Sequence, residues 1–154
     1  MLTQIIPFKK EYASAFKELN IAWLEKYFYI EPKDATLLEN CESSIIKPGG
    51  FIFFALQDDQ VVGCFSFIKT NDRVYELGKM AIAPNFQGQK IGQQLLEFAI
   101  QFAKNENWSK LILYSNTILK PAIHIYKKYG FKEIPLEEEL PYARSNIKME
   151  LLLR

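Results

Sequence analysis

The sequence predicts a mixed α/β domain whose single sheet of about seven strands carries helices on both faces. Its 154 residues are 49% hydrophobic, which is enough for one domain spanning residues 1–154 to bury a core. Turns of two or three residues join three strands between residues 51 and 83, and such short turns make an antiparallel meander. Residues 73–114 then read strand, helix, strand, which predicts one parallel crossover.

Charge and hydropathy exclude several function classes. Nineteen basic and eighteen acidic residues leave a net charge of +1, whereas a dedicated nucleic-acid binder usually has a basic excess. No apolar run approaches the roughly 20 residues that cross a bilayer, and the first residues lack the apolar core of a signal peptide. We therefore expect a soluble cytoplasmic protein with neither a membrane nor a nucleic-acid partner, in which Cys41 and Cys64 are buried, reduced thiols.

The first half of the chain is predicted to hold two helices and four strands. Apolar residues recur at helical spacing from residue 8 to about residue 28, and a second helix is predicted over residues 34–46. The run Lys47-Pro48-Gly49-Gly50 ends that helix. The predicted strands cover residues 2–6, 51–57, 61–69 and 73–83.

The second half is predicted to hold two helices and three strands. Over residues 90–105 the apolar residues Ile91, Leu95, Ala99 and Phe102 are spaced by four, four and three, as in a helix with one buried face. A second helix covers residues 121–129, between a first-turn proline and a glycine exit. The predicted strands cover residues 111–114, 131–134 and 147–153.

The loop between the third meander strand and the long helix has the composition of an anion site. The first N–H groups of a helix have no intrahelical acceptor and carry a partial positive charge. Gly88 and Gly92 leave room for a phosphate, while Gln87, Gln89 and Lys90 add donors and a charge. A tight strand-to-helix turn with no ligand is the alternative. The loop matches neither the Walker motif nor the dinucleotide fingerprint.

Two motifs in this context are the loop Gln87-Gly88-Gln89-Lys90-Ile91-Gly92 and the segment Tyr126-Lys127-Lys128-Tyr129-Gly130-Phe131. They resemble the Gln/Arg-x-x-Gly-x-Gly/Ala loop and the Tyr-x-x-x-Gly-Phe segment of the GNAT superfamily of acyl-CoA-dependent N-acetyltransferases. The order of predicted elements extends the resemblance to essentially the whole chain. Lys90 stands where the motif has glycine, and it can still donate its backbone N–H if its φ is negative.

The resemblance implies acetyl-CoA as co-substrate and no metal. It places the pyrophosphate on the loop and the pantetheine arm in a V opened between the strands that end at Ala83 and Tyr114. Asn116 resembles an asparagine that bonds this arm, although a cap or turn role is an equal alternative. The implied coenzyme-binding residues are Met80, Ala81, Ile82, Gln87, Gly88, Gln89, Lys90, Ile91, Gly92, Gln93 and Asn116.

Glu76 is the candidate general base, because it lies six residues before Ile82, where the family often places a carboxylate. The pKa gap of about six units between a carboxyl and an alkylammonium is worth roughly 8 kcal/mol. A water chain or desolvation of the amine must therefore assist it. Gly78 could mark a bulge that re-aims Glu76 out of an apolar row. An ion pair with Arg73, Lys69 or Lys79 is the alternative.

Tyr126 is the candidate donor to the leaving sulfur. A phenol with a pKa near 10 would protonate a thiolate of pKa near 8.5 at a cost of roughly 2 kcal/mol, and a hydrogen bond costs less. The alternative is a tyrosine that only packs in the core. Backbone N–H groups near Ile82 are expected to stabilise the carbonyl oxygen.

The acceptor pocket is expected to involve Trp23, Tyr27, Tyr142 and Arg144. Trp23 and Tyr27 belong to an aromatic cluster for which core packing is favoured and a pocket wall is the alternative, and Arg144 would suit a carboxylate on the acceptor. The acidic run at residues 137–139 could attract a cationic amine or be a solvated loop. Polyamine, amino acid, aminoglycoside and protein amines all remain open.

These observations predict transfer of an acetyl group from acetyl-CoA to a primary amine of a small molecule or peptide. Direct attack in a ternary complex is expected, because no cysteine lies in the motif. Two other classes remain: a non-catalytic acyl-CoA sensor or interaction module on the same fold, and a nucleotide-binding regulator. The resemblance is also compatible with a homodimer.

Overall fold

The computed structural model describes residues 3–153 and confirms the predicted fold class. Seven strands form one sheet in the order β1-β2-β3-β4-β5-β7-β6. Neighbouring strands are antiparallel except β4 and β5, which are parallel. The mixed sheet therefore contains the predicted meander and the predicted crossover.

The amino-terminal elements differ from prediction mainly at their ends. Strand β1 covers Gln4–Pro7, and residue 2 of the predicted strand lies outside the described residues. The first predicted helix begins later, as a 3-10 turn at Lys10–Tyr12 followed by α1 at Ala13–Tyr27.

The predicted helix over residues 34–46 is two separate elements. Helix α2 covers Pro32–Glu39 and starts earlier than predicted, because Glu31 and Asp34 form a reciprocal capping box around a first-turn proline. It ends at Asn40, whose φ of −128° leaves the helical region, and a π-helical turn follows at Glu42–Ile46.

The meander consists of β2 (Phe51–Gln57), β3 (Gln60–Asn71) and β4 (Val74–Ile82). Asp58 and Asp59 both have positive φ in the tight turn between β2 and β3, as the primed hairpin turns require. On the β3–β4 pair, Cys64 faces Ala81 and Ser66 faces Gly78, so β4 carries one extra residue. This β-bulge includes Lys79, whose φ is +54°.

The carboxy-terminal elements follow the prediction closely. They are α3 (Ile91–Asn105), β5 (Lys110–Ser115), α4 (Lys120–Lys128), β6 (Lys132–Ile134) and β7 (Ile147–Leu152). Gly130 has a φ of +100° and supplies the left-handed exit from α4. Among the described residues, no helix is long and apolar enough to cross a membrane.

Each face of the sheet is covered by its own hydrophobic core. Helices α1 and α2 cover one face through Phe16, Leu24 and Leu37, while α3 and α4 cover the other through Leu95 and Ile123. Burying a side chain of this size contributes about 1.5–3 kcal/mol. The second core also holds a cluster of aromatic rings: Phe51, Phe53, Phe65, Phe67, Tyr75, Phe98, Phe102 and Trp108.

The parallel pair β4–β5 opens part of the way along its length. Its register runs from Val74 opposite Lys110 to Glu76 opposite Ile112, although β4 continues to Ile82 and β5 to Ser115. The sheet therefore splays beyond Glu76, as the predicted V requires. Backbone groups of β4 on the β5 side lose their ladder partners there.

Candidate active site

A cavity of about 220 Å³ occupies the opening between β4 and β5. Helix α1, helix α4 and the loop before β7 close it. The residues that line it are Asn20, Trp23, Leu24, Phe28, Glu76, Leu77, Gly78, Lys79, Met80, Leu113, Tyr114, Ser115, Asn116, Leu119, Ala122, Tyr126, Tyr142, Arg144 and Ser145. The splay thus brings Glu76, Met80, Asn116 and Tyr126 into one space, although sequence patterns singled them out separately.

The amino terminus of α3 presents free amides next to open space. The first i→i−4 bond of the helix runs from the N–H of Gln94 to the carbonyl of Lys90 at 3.1 Å, so the preceding amides lie before the ladder. A Cβ built on Gly88 or on Gly92 meets no atom within 4 Å. The loop therefore has the room and the donors that an anion site needs.

Lys90 does not have the negative φ that was expected for it to donate its backbone N–H within the motif. Its φ is +62° and its ψ is 22°, a left-handed conformation at the position where the family motif has glycine. A non-glycine residue there costs about 1–2 kcal/mol. The backbone of the loop thus keeps a glycine-like geometry with a lysine in place.

The other side chains of the loop differ in their contacts and in their exposure to solvent. Gln87 donates from Nε2 to the carbonyl of Ile82 at 3.5 Å, and Gln89 accepts at Oε1 from Gln57 at 3.3 Å. Ile91 is buried in the core of its sheet face, so only its backbone is available to a ligand. Gln93 is half-buried in the first turn of α3.

Glu76 is buried on β4, with 7% of its surface exposed. The ion pairs offered as its alternative role are absent from the described residues: Lys79 pairs with Asp34 and Lys69 pairs with Asp72. Burial raises the pKa of Glu76, and the nearby charges of Lys33 and Lys79 only oppose that rise. A buried carboxyl with a raised pKa facing a cavity has the properties of a candidate base.

The predicted bulge exists but lies after Gly78, so it does not re-aim Glu76. The extra residue falls between Gly78 and Ala81, while Glu76 keeps its regular partner Ile68 on β3. A Cβ on Gly78 would come to 3.6 Å from Oε2 of Glu76, in ordinary contact. The bulge changes the direction of the strand after Gly78, where Lys79 lines the cavity.

Tyr126 lies on α4 and its ring packs against Phe131, with 5.7 Å between ring centroids. Its side chain is half-buried and lines the cavity. Burial raises the pKa of its hydroxyl, which keeps the phenol protonated and able to donate a hydrogen bond.

Asn116 has the turn role that was the alternative to bonding the pantetheine arm. Its Oδ1 accepts from the N–H of Ile118 at 2.9 Å, and its Nδ2 donates to the carbonyl of Arg144 at 2.8 Å. It still lines the cavity and retains one Nδ2 hydrogen beyond these bonds.

A buried charge network, not predicted from the sequence, closes the cavity on the side of α2. Asp34 accepts two bonds from the Arg144 guanidinium, at 2.6 and 3.0 Å, and one from Lys79 at 2.6 Å. Glu31 accepts from Arg144 Nη1 at 3.1 Å and from the backbone N–H of Ala143 at 2.7 Å. The network contains two carboxylates and two cations, so its formal charges balance.

The network fixes the ionisation of Asp34. Burial would raise the pKa of Asp34, but the hydrogen bonds and charges of Arg144 and Lys79 outweigh burial and lower it from 3.8 to about 2. Burial lowers the pKa of Lys79, and its contact with Asp34 opposes that fall. An acceptor carboxylate at Arg144 would have to compete with Glu31 and Asp34 for the guanidinium.

Tyr142 links the network to Glu76. Its hydroxyl donates to Oε2 of Glu76 at 3.2 Å, and its ring lies 4.5 Å from Lys79 Nζ, 4.5 Å from the Arg144 guanidinium carbon and 4.9 Å from Lys33 Nζ. The negative face of an aromatic ring attracts such cations. Burial raises the pKa of Tyr142, and the charges of Glu76 and Asp34 raise it further, so its hydroxyl keeps its proton.

The remaining acceptor candidates differ in whether they line the cavity. Trp23 and Phe28 line the cavity, whereas Tyr27 does not and is 39% exposed, with its ring 5.3 Å from that of Trp23. Of the acidic run, Glu137 pairs with Lys148 at 2.8 Å and accepts a bond from Tyr114.

The chain is similar to known acetyltransferases in sequence and in structure. The profile of the Acetyltransferase (GNAT) family matches residues 14–131. The N-acetylaspartate synthetase of Danio rerio is 27% identical over 113 residues, which are 72% of this chain and 40% of that protein. The crystal structure of a GNAT-family acetyltransferase from Staphylococcus aureus Mu50 has a TM-score of 0.87 at 24% identity, covering 99% of this chain and 100% of that one.

A second solved structure with this fold carries the coenzyme. It is a GNAT-family acetyltransferase from Elizabethkingia anophelis with acetyl-CoA bound, with a TM-score of 0.71 at 21% identity and 98% coverage of both chains. The present chain matches about 40% of the length of the first curated relatives. The family profile, the seven-stranded topology and the loop at α3 agree, and on that evidence the chain belongs to the acetyltransferase (GNAT) family.

Proposed function

We propose that this chain transfers an acetyl group from acetyl-CoA to a primary amine by direct attack in a ternary complex. The observation that carries the proposal is the position of Glu76 and Tyr126 in one cavity at the splay of β4 and β5. Membership of the GNAT family supports acetyl-CoA as the donor, as does a neighbour of the same fold that holds it. We also propose that residues 1–154 act as one domain, since one sheet includes β1 through β7.

The coenzyme would lie along the loop and β4. The amides of Ile91, Gly92 and Gln93 precede the hydrogen-bond ladder of α3 and would donate to the diphosphate. The open space over Gly88 and Gly92 supports the approach of such a group. The pantetheine arm, which resembles a peptide, would bond the backbone of β4 from Met80 to Ile82, where pairing with β5 has ended.

Glu76 would accept the proton of the attacking amine. Burial disfavours the charged carboxylate, so Glu76 is a stronger base than a solvated glutamate and the gap to an ammonium narrows. The same low-dielectric cavity lowers the pKa of a bound amine, because it disfavours the ammonium form. Both shifts favour proton transfer before attack.

Tyr126 would donate a hydrogen bond to the sulfur as the carbon–sulfur bond breaks. The hydroxyl stays protonated because burial raises its pKa, and a donor aimed at developing charge stabilises the transition state more than the ground state. Full proton transfer is more costly than for an exposed phenol. The role supported by the structure is therefore hydrogen-bond donation.

The cysteines support direct attack over a covalent enzyme intermediate. Both are buried, and burial raises the pKa of Cys64 to about 12, so its thiol is protonated near neutral pH. Its Sγ accepts a bond from Asn20 at 3.5 Å. A thiol in this environment is a poor nucleophile.

Calorimetry with acetyl-CoA and a thiol-release assay over small amines and peptides test the proposal. Gly92→Asp places a carboxylate among the loop amides in open space, whereas Gln94→Asp adds the same charge at an exposed position two residues later. We expect Gly92→Asp to weaken acetyl-CoA binding at least tenfold and Gln94→Asp to change it less than threefold. Absence of saturable heat with CoA and acetyl-CoA would contradict the proposal, and binding without thiol release for any acceptor would indicate a sensor.

A further inference from the structure

We infer that the acceptor is a primary monoamine on a compact apolar or aromatic body that bears no carboxylate, an inference that rests on the proposed function of the same cavity. The evidence is the charge that the cavity presents to a ligand. Among the described residues that line it, Glu76, Lys79 and Arg144 are charged. The two cations, Lys79 and Arg144, already have ionic partners.

Neither cation is free to bind an acceptor carboxylate. Lys79 Nζ lies 2.6 Å from Asp34, and Arg144 contacts both oxygens of Asp34 and one of Glu31. The side chains of these two carboxylates are at most 8% exposed, so solvent does not weaken the pairs. A carboxylate entering the cavity would have to break a buried pair and leave another carboxylate without its partner.

Glu76 is the charged group that remains for the ligand. Its described hydrogen bond comes from the neutral hydroxyl of Tyr142, not from a cation. Asp34 and Glu31, which lie outside the lining, balance Lys79 and Arg144, so the charge left at the lining when Glu76 is ionised is that of Glu76, opposed from outside the lining by Lys33. One ammonium is therefore attracted, and a second on the same molecule finds no second carboxylate among the described lining residues.

The opposite wall of the cavity is apolar. Trp23 and Leu24 of α1, Phe28 immediately after that helix, Met80 on β4 and Leu113 on β5 all line it. Burial of apolar ligand surface against these side chains would supply the affinity, while Glu76 orients the single amine. The volume of about 220 Å³ must also admit the thioester end of the coenzyme, so it suits an acceptor body no larger than an aromatic ring on a short arm.

Phenethylamine, phenylalaninamide, phenylalanine and spermidine separate these features. The first three share the ring and amine, and only phenylalanine adds a carboxylate; spermidine has several amines and no ring. We expect kcat/KM for phenethylamine and phenylalaninamide to exceed that for phenylalanine and spermidine at least a hundredfold. Glu31→Gln, which leaves Arg144 in excess charge, should improve phenylalanine at least fivefold relative to phenethylamine.

Amine binding measured by calorimetry in the presence of CoA decides the inference even without turnover. Binding of phenethylamine without binding of phenylalanine would support the inference. If phenethylamine binds in this way but no thiol is released, the proposed function fails while the inference about the acceptor stands. Phenylalanine or spermidine binding as tightly as phenethylamine would overturn the inference, as would failure of all four amines to bind below 10 mM. A purified Glu31→Gln protein that does not fold leaves the wild-type comparison decisive.

Discussion

The hydroxyl of Tyr142 donates a hydrogen bond of 3.2 Å to Oε2 of Glu76, across 66 positions of the chain. The bond ties the loop before β7 to the last residue of β4 that pairs with β5. The same tyrosine ring packs against Lys79 and Arg144, so the candidate base is held next to a balanced charge network without being neutralised by it. The orientation of Glu76 therefore depends on its own strand β4 and on two distant segments, α2 and this loop.

Replacement of Glu76 by glutamine should remove the base and preserve the fold. Tyr142 can donate to the amide oxygen as it does to the carboxyl, and positioned bases contribute about 10²–10⁴-fold. We expect kcat/KM at pH 8 to fall at least about a hundredfold, measured by thiol release at saturating acetyl-CoA. Glu133→Gln on β6 is the matched control, because Glu133 is exposed and outside the cavity. Equal loss in both variants would contradict the role.

The same substitution should stabilise the protein at alkaline pH. A carboxyl whose pKa is raised on folding stabilises the fold fully below its unfolded value of 4.5, and this contribution is lost as pH rises through the folded pKa. Glu76→Gln escapes that loss, so its melting temperature should exceed that of the wild type at pH 8 and match it at pH 4. Scanning calorimetry at both values checks this. A lower melting temperature at pH 8 would show that the carboxylate stabilises the fold.

Tyr126→Phe should lower turnover with little effect on coenzyme affinity. The ring keeps its contact with Phe131, and the variant loses only the hydroxyl that faces the cavity. We expect kcat to fall by about 10²-fold while the dissociation constant of acetyl-CoA changes less than twofold. Tyr129→Phe, at the residue that follows this helix, removes a hydroxyl that bonds Glu97 and should leave both values unchanged. Full turnover in Tyr126→Phe would exclude the residue from the mechanism.

Asp34→Asn should be strongly destabilising, because it leaves Lys79 and Arg144 buried without their shared partner. Breaking a buried pair costs about 3–5 kcal/mol, whereas Glu39→Gln, which breaks the exposed pair with Lys17, should cost less than about 1 kcal/mol. Urea denaturation of the two variants measures the difference in the free energy of unfolding. Similar values for both would mean that the network is not held together by charge.

The pH dependence of stability offers an independent check on Asp34. Its pKa is lowered from 3.8 to about 2, so its contribution is present above 3.8 and is lost as pH falls through 2. That contribution is on the order of 2 kcal/mol. Wild-type stability should therefore fall between pH 4 and pH 2, and Asp34→Asn should flatten this part of the profile.

The elements set by local pattern were predictable from the sequence. The meander, the crossover and the α3 boundaries follow from alternation, turn residues and helical spacing, and they agree with the structure within about two residues. The break at Asn40 was not predicted, because the apolar spacing continues through residue 46 while the backbone leaves the α-helix. The apolar spacing therefore predicted a single helix where the backbone forms two elements.

The charge network escaped prediction for a different reason. Asp34 and Arg144 are 110 positions apart, and nothing in either local sequence distinguishes a buried ion pair from two solvated charges. The capping box of α2 was the one available signal, since Glu31 and Asp34 flank Pro32 at its spacing. The bulge was predicted at Gly78, because glycine usually marks such a site, whereas the residue with positive φ is its neighbour Lys79.

Substitutions at Lys90 should reveal the glycine-like geometry of the loop. A lysine at φ of +62° costs about 1–2 kcal/mol of folding free energy, and glycine removes that cost. Glycine also destabilises the fold by about 0.5–1 kcal/mol, because its unfolded chain has more conformational entropy to lose. Lys90→Gly should therefore be neutral or up to about 1.5 kcal/mol more stable. Lys90→Val should be about 1–2 kcal/mol less stable, because a β-branched residue tolerates positive φ poorly.

Urea denaturation and acetyl-CoA calorimetry on the two Lys90 variants check these expectations. Asn85→Val is the matched control, since Asn85 is exposed in the same loop and is not among the positive-φ residues. Lys90→Gly should also keep its affinity for acetyl-CoA within threefold, because the backbone amides of the loop, not the lysine ammonium, are the donors. A tenfold loss of affinity in Lys90→Gly with unchanged stability would instead assign the diphosphate contact to the lysine side chain.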